Sequence, residues 1–246
     1  LVFMDCLRRA SARRITAVLP YYGYARQDRK DEGRVPITAK LVSNLIRQAG
    51  ADRVLTMDLH AAQIQGFFDI PVDHLQAEPA FTKHFKNVDF KNAVFVNQAV
   101  GNVRRARMHA EKMGCDLAVI EKRRTSGSTA IVHNIIGDVE GHDVVMIDDI
   151  IATAGTVCEA ARVCIERGAR SVRGAATHAV FAGPALERLS SAPFTEIAVS
   201  DTIPISNEVR KKLPNLVQLS VADIFGEAIA RIHKHRSVSS LFQNNE

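Results

Sequence analysis

The stretch Val144-Val145-Met146-Ile147-Asp148-Asp149-Ile150-Ile151-Ala152-Thr153-Ala154-Gly155-Thr156 decides how this chain folds. Four apolar residues with no polar alternation read as a strand buried on both faces, the mark of a parallel sheet. Two carboxylates end that strand, and a loop of small residues leads into a helical pattern in which Val157, Ala160, Ala161 and Cys164 share one face. Thr153, Gly155 and Thr156 can present backbone N–H groups and hydroxyls at the helix N-terminus, where the dipole favours an anion. Such a loop suits a phosphate, and Asp148 and Asp149 above it suit sugar hydroxyls or a hydrated Mg²⁺. A single capping Asp would be no more than a helix start; two carboxylates joined to Thr-x-Gly-Thr favour a ligand site.

Outward from this unit the pattern repeats. Apolar runs at 15–19, 54–57, 93–96, 117–120, 172–177, 197–199 and 216–219 alternate with helical spacings such as Leu41, Leu45, Ala49 and Val103, Ala106, Ala110, Met113. Gly50, Gly114 and Gly168 follow three of these helices, where a left-handed cap is wanted. The class is α/β with parallel sheets covered on both faces. The segments GADRVLTMDLH (50–60) and GARSVRGAATH (168–178) share a helix-ending Gly-Ala, a basic residue, a strand and a terminal His, a likeness that fits two related α/β domains and equally the general resemblance of any two α/β units. The crossing falls at 71–79, with an amphipathic helix carrying Ala222, Phe225, Ile229 and Ile232 and a polar tail at the end.

Composition narrows the class. The 246 residues allow one or two domains, and 46% hydrophobic with 24% charged residues exclude a disordered chain. No apolar run is long enough to span a membrane, and no leader pattern is present, so a cytoplasmic location is expected. The four cysteines, Cys6, Cys115, Cys158 and Cys164, lack C-x-x-C spacing and read as buried thiols of a reducing compartment. The net charge of +5 is scattered apart from clusters at 26–30 and 122–124, which small phosphorylated ligands explain as well as nucleic acid does. There is no Walker A loop, G-x-G-x-x-G, metalloprotease pair or G-x-S-x-G, so a nucleotide site must be built another way.

Polar loops follow the carboxyl ends of four strands, where open parallel sheets bind ligands. They are residues 20–30, then Asp58-Leu59-His60, then Glu121-Lys122-Arg123-Arg124, and the 148–156 segment. Lys122 and Arg124 fall just past a strand and before Thr125-Ser126-Gly127-Ser128-Thr129, which reads as a mobile loop bearing two cations; these suit either a solvated basic turn or closure over a transferring phosphoryl group.

These residues together resemble ribose-phosphate pyrophosphokinases. The resemblance rests on RASARRITAVLPYYGYARQDRK (9–30), ADRVLTMDLHAAQIQGFFDIPVD (51–73), EKRR (121–124), NIIGDVEG (134–141), IDDIIATAGT (147–156), ATHAVFAGPA (176–185), SDTIPI (200–205) and SVSSLF (237–242). It implies two phosphoribosyltransferase-like domains: an N-terminal one at 1–75, incomplete at its start, and a C-terminal one at 76–221, followed by a helix and tail at 222–246. It also implies transfer of the diphosphoryl group of ATP to O1 of ribose 5-phosphate. By the same resemblance Arg26, Gln27 and His60 serve ATP, with His60 also at the Mg²⁺ site. Lys122 and Arg124 are the catalytic cations. Arg124, Asp148, Asp149 and the loop Ala152, Thr153, Ala154, Gly155 and Thr156 bind ribose 5-phosphate. Assembly as a homo-oligomer, a hexamer in the family, is implied, with no nucleic-acid or membrane partner.

The chain departs from the family pattern in three places. An early region containing an Arg-Phe-x-Asp-Gly-Glu stretch has no counterpart here. Asn97-Gln98-Ala99-Val100-Gly101-Asn102 stands where the family reads Ser-Pro-Asp-x-Gly-Gly, and Ala152 stands where the phosphate loop begins with Asp. Loss of two site carboxylates supports a second reading: a catalytically weak family member that binds nucleotide or sugar phosphate and assembles with active subunits.

Overall fold

The computed structural model describes residues 1–30, 32–86, 92–97, 103–124 and 131–241, with the backbone alone at 103–105, 108, 122–124 and 131–133. Contacts divide the chain into two compact units, one of residues 1–77 with 221–246 and the other of residues 78–220. No helix among the described residues is long and apolar enough to cross a membrane.

The first unit contains α1 (Val2–Arg9), β1 (Thr16–Leu19), α2 (Thr38–Gln48), β2 (Arg53–Met57), a 3-10 turn at Ala62–Phe67 and β3 (Val72–Leu75). Its sheet is parallel, in the order β1-β2-β3. Ala17, Ala39, Ile46, Val54 and Ile64 anchor its core. The expected face of α2 is corrected here. Ala39, Ser43 and Ile46 are buried, whereas Leu41 and Leu45 stand 53% and 43% exposed. The Ser43 hydroxyl donates to the Phe67 carbonyl (2.8 Å) and Lys40 Nζ to the same oxygen (2.7 Å), which turns the polar edge of the helix inward. β3 was not read from the sequence, because Val-Asp-His-Leu offers no apolar run.

The second unit contains α3 (Glu78–Lys86), β4 (Ala93–Asn97), α4 (Val103–Met113), β5 (Asp116–Arg124), β6 (Ile131–Ile136), β7 (Asp143–Ile151), α5 (Gly155–Glu166), β8 (Ser171–Ala179), α6 (Ala185–Ser190), β9 (Phe194–Ser200), α7 (Asn207–Lys212) and β10 (Leu216–Leu219). The chain then returns to the first unit with α8 (Ala222–His233). The seven strands run β10-β9-β8-β7-β4-β5-β6, parallel except for the antiparallel β5–β6 pair. Val94, Val144, Met146, Val172 and Ile197 fill its core against Val157, Ala160, Ala161 and Cys164 of α5, the face that spacing predicted. Gly50, Gly114 and Gly168 take positive φ after their helices, as expected.

Two strand ends differ from the sequence reading. β7 continues through Asp148 and Asp149 to Ile151 because β8 pairs with it as far as Ala179, and the N–H groups of Val180 and Phe181 then cap the Ile151 carbonyl. β5 continues through Glu121 to Arg124 because β6 pairs alongside it, with Lys122 opposite His133 and Arg124 opposite Ile131. Lys122 and Arg124 therefore lie on a strand, not past its end in a mobile loop; residues 125–130 lie outside the described residues. The cysteine reading is also corrected: Cys158 and Cys164 are buried, Cys115 is half-buried and Cys6 is exposed on α1.

Candidate functional site

In the second unit β4 sends the chain toward β5 on one side, while β7 sends it toward β8 on the other. The boundary between β4 and β7 is thus the switch point, where connections leaving the carboxyl ends diverge and open a crevice. The 148–156 segment leaves β7 at that point. β5 lies one strand beyond β4, so at the usual strand spacing its backbone runs about 10 Å from β7. Lys122 and Arg124 thus reach the same end of the sheet as the loop. Ala99, between β4 and α4, lies outside the described residues.

The loop is shaped to accept an anion. Ala154 has φ 59° and ψ 6°, a left-handed conformation, and the next residue begins the right-handed α5. Such a left-to-right succession makes neighbouring N–H groups converge into a nest. Every carbonyl of the loop is drawn elsewhere. The Ala182 N–H donates to the Ala152 carbonyl (2.9 Å), Arg188 Nη1 to that of Thr153 (2.9 Å) and the Cys158 N–H to that of Ala154 (3.1 Å). Among the described residues nothing accepts from the N–H groups of Thr153, Ala154, Gly155, Thr156 and Val157. Five donors at one helix start, with the Thr153 and Thr156 side chains exposed, form a ready seat for a phosphate.

The two carboxylates above the loop are not equivalent. Asp148 is half-buried and its Oδ1 accepts the Asp149 N–H (2.9 Å), while Asp149 is 3% exposed. Consecutive strand residues project to opposite faces, so Asp148 is the more open to a ligand. Burial pushes the Cys158 thiol up, against the pull of the Arg162 and Arg188 cations, so positive charge is felt at the first turn of α5.

The family-like segments at 176–185 and 200–205 support this end of the sheet. The Ser200 and Thr202 hydroxyls donate to the Thr177 carbonyl (2.6 and 3.0 Å), and Thr202 also meets His178 Nδ1 (3.0 Å). Sequence reasoning missed Arg188. It is one arginine on a six-residue helix, and its loop partner lies 35 positions upstream.

In the first unit Arg26 and Gln27 follow β1 and His60 follows β2, at the carboxyl ends of adjacent parallel strands. All three are exposed, and Gln27 lines a cavity of about 320 Å³ with Arg29, Glu32, Val35 and Pro36. The segment is fixed from below by Tyr22, whose hydroxyl donates to the Ala39 carbonyl (2.7 Å). Burial pushes that phenol up to about 12. Asp58 is structural. It sits at φ 39°, accepts the Ala77 N–H (3.1 Å) and donates its own N–H to the Leu75 carbonyl (3.0 Å).

A parallel α/β sheet with an N–H nest and a carboxylate at its switch point is the arrangement of an α/β protein suited to a phosphorylated ligand. Comparison with known proteins gives the family. Residues 1–50 match the model of the N-terminal domain of ribose phosphate pyrophosphokinase, and residues 129–243 match the phosphoribosyl synthetase-associated domain. The chain is 57% identical over 246 residues to a ribose-phosphate pyrophosphokinase of Rhodopirellula baltica, covering 99% of this chain and 77% of that protein. A Synechococcus elongatus protein of the same name is 55% identical, covering 99% and 73%. The crystal structure of phosphoribosylpyrophosphate synthetase from Mycobacterium smegmatis superposes with a TM-score of 0.86 at 40% identity, over 95% of this chain and 76% of that one. The chain belongs to the ribose-phosphate pyrophosphokinase family.

Proposed function

We propose that this chain transfers the diphosphoryl group of ATP to O1 of ribose 5-phosphate. The observation that carries the reading is the five-donor nest at 153–157, which suits the 5-phosphate and lies at the switch point beneath Asp148. Asp148 then faces the ribose hydroxyls. Attack of the O1 hydroxyl on the β-phosphorus breaks the bond to the α-phosphate oxygen, releases AMP and sheds the hydroxyl proton. Lys122 and Arg124, at the same end of the sheet, neutralise charge on the transferring group, which is where cations act most in phosphoryl transfer. Arg26, Gln27 and His60 serve the nucleotide.

Mg²⁺ fits as a companion of the substrate. Among the described residues no group of three or more His, Cys, Asp or Glu could hold a metal. Mg²⁺ needs only one or two carboxylates beside substrate phosphates and water, and the half-buried Asp148 supplies one. Bound in this way, the ion supplies neutralisation of the triphosphate. Imidazole is a poor ligand for so hard a cation, so His60 is assigned to the nucleotide phosphates. Assembly into a homo-oligomer, a hexamer as in the family, belongs to the same proposal.

The test is AMP release from ATP, followed with and without ribose 5-phosphate. Release that depends on ribose 5-phosphate is expected. Lys122→Ala should lower kcat and kcat/KM together, by about 100-fold, with ribose 5-phosphate binding retained, as for an interaction made only in the transition state. Binding of ribose 5-phosphate without AMP release would overturn catalysis and leave the second reading, a binding or regulatory subunit. Ala152 favours that reading, because its methyl group offers a ligand no oxygen.

A further inference from the structure

Of the three loop carbonyls held away from the nest, two are taken by backbone N–H groups and one, that of Thr153, by a side chain. The Thr153 carbonyl and the Ala154 N–H belong to one planar peptide unit and point in opposite directions. Fixing that carbonyl on Arg188 Nη1 therefore fixes the Ala154 N–H toward the nest. The same peptide orientation puts Ala154 at φ 59°, which is strained for a residue with a Cβ. Rotation of this peptide would relax Ala154 to negative φ. It would also turn the Thr153 carbonyl oxygen into the seat, where it would repel an anion.

We propose that Arg188 is the positioning residue of the phosphate seat: it holds the 153–154 peptide in the strained orientation that an anion needs. The proposal rests on the reading of this loop as the seat of the 5-phosphate. Gly155 belongs to the same device. A Cβ there would stand 3.2 Å from Arg188 Nη1, so glycine leaves the guanidinium its place against the loop. Arg188 is otherwise exposed, on α6, and not part of the core, so its loss falls on the loop rather than on the fold.

The experiment is a titration of the full chain with ribose 5-phosphate, read by the amide resonances of residues 153–157, with the unfolding midpoint measured in parallel. Arg188→Ala should weaken binding about tenfold, the scale of one charge-assisted hydrogen bond, without lowering the midpoint. Adding Ala154→Gly to Arg188→Ala should recover about threefold or more of that loss, because glycine holds positive φ without help. Arg188→Lys should bind nearly as weakly as Arg188→Ala. Full rescue by Lys would mean that charge alone matters and would overturn the positioning role. So would an Arg188→Ala affinity within about twofold of wild type, or a double variant no better than the single one. If the wild-type amides do not respond to ribose 5-phosphate, the reading of the loop fails first and the inference falls with it.

Discussion

At Ala154 two energies of similar size oppose each other. Left-handed φ costs an L-residue about 1–2 kcal/mol, while the methyl group, only 5% exposed, contributes about 0.8 kcal/mol by burial. Ala154→Gly should therefore leave stability within about 0.5 kcal/mol of wild type. Ala160→Gly, on the buried face of α5, loses the same methyl and adds the helix penalty, about 2 kcal/mol together. Urea unfolding of the two variants checks the contrast, and equal losses would remove the strain at Ala154. Tyr22 makes a second single-residue case. Its folded-state pKa is raised to about 12 by burial, above the ordinary value near 10. The native state then holds the proton more tightly than the unfolded chain. The contribution is fully present below about pH 10 and is lost as pH rises toward 12. Tyr22→Phe should lower stability at pH 8 by about 1 kcal/mol, through the lost bond to the Ala39 carbonyl, and flatten the decline between pH 10 and 12. A decline unchanged in the variant would assign it to other groups.

Elements place these residues, and they were legible to different degrees. β7 and α5 could be read outright, since a run of apolar residues and an apolar face at helical spacing have one good reading each. β5 could not be read past Ile120. Its extension through Glu121-Lys122-Arg123-Arg124 comes from pairing with β6, and backbone pairing leaves no trace in hydrophobicity. β6 itself, Ile-Val-His-Asn-Ile-Ile, breaks its apolar pattern in the middle. That a loop of small residues opens α5 was legible from the sequence. The left-handed turn at Ala154 was not, because alanine is the residue least suited to announce one. The stop of α5 was legible at Gly168, and the structure shows why. Its φ is 86°, and a Cβ there would meet Glu140 Cγ at 3.0 Å, while its carbonyl accepts the Gly141 N–H at 2.8 Å. Gly168→Ala should destabilise the second unit by about 1–2 kcal/mol, mostly through backbone strain, since the Glu140 side chain can move aside. Chemical denaturation with a probe in that unit measures it, and a loss under about 0.3 kcal/mol would mean that the turn relaxes without cost.

At the scale of the whole molecule the two units differ in how well their apolar surface is covered. The second closes seven strands over a core of fully buried Val, Met and Ile residues. The first has three strands among its described residues, and Val18 on β1 is 38% exposed. Leu41 and Leu45 stand one helical turn apart on α2, both facing solvent. An exposed apolar pair is a template for association, so the chain should self-associate through this face as its concentration rises. Complete burial of a leucine contributes about 1.5–3 kcal/mol, and each of these two has about half its surface left to bury. Together they offer about 2 kcal/mol to a contact, equivalent to roughly thirtyfold in affinity. Leu41→Glu with Leu45→Glu should weaken self-association at least that much, with helix content and ribose 5-phosphate binding unchanged, since the proposed seat lies in the other unit. Sedimentation over a concentration series is the measurement. A double variant that associates as strongly as wild type would show that this face of α2 takes no part and would move the interface elsewhere on the molecule.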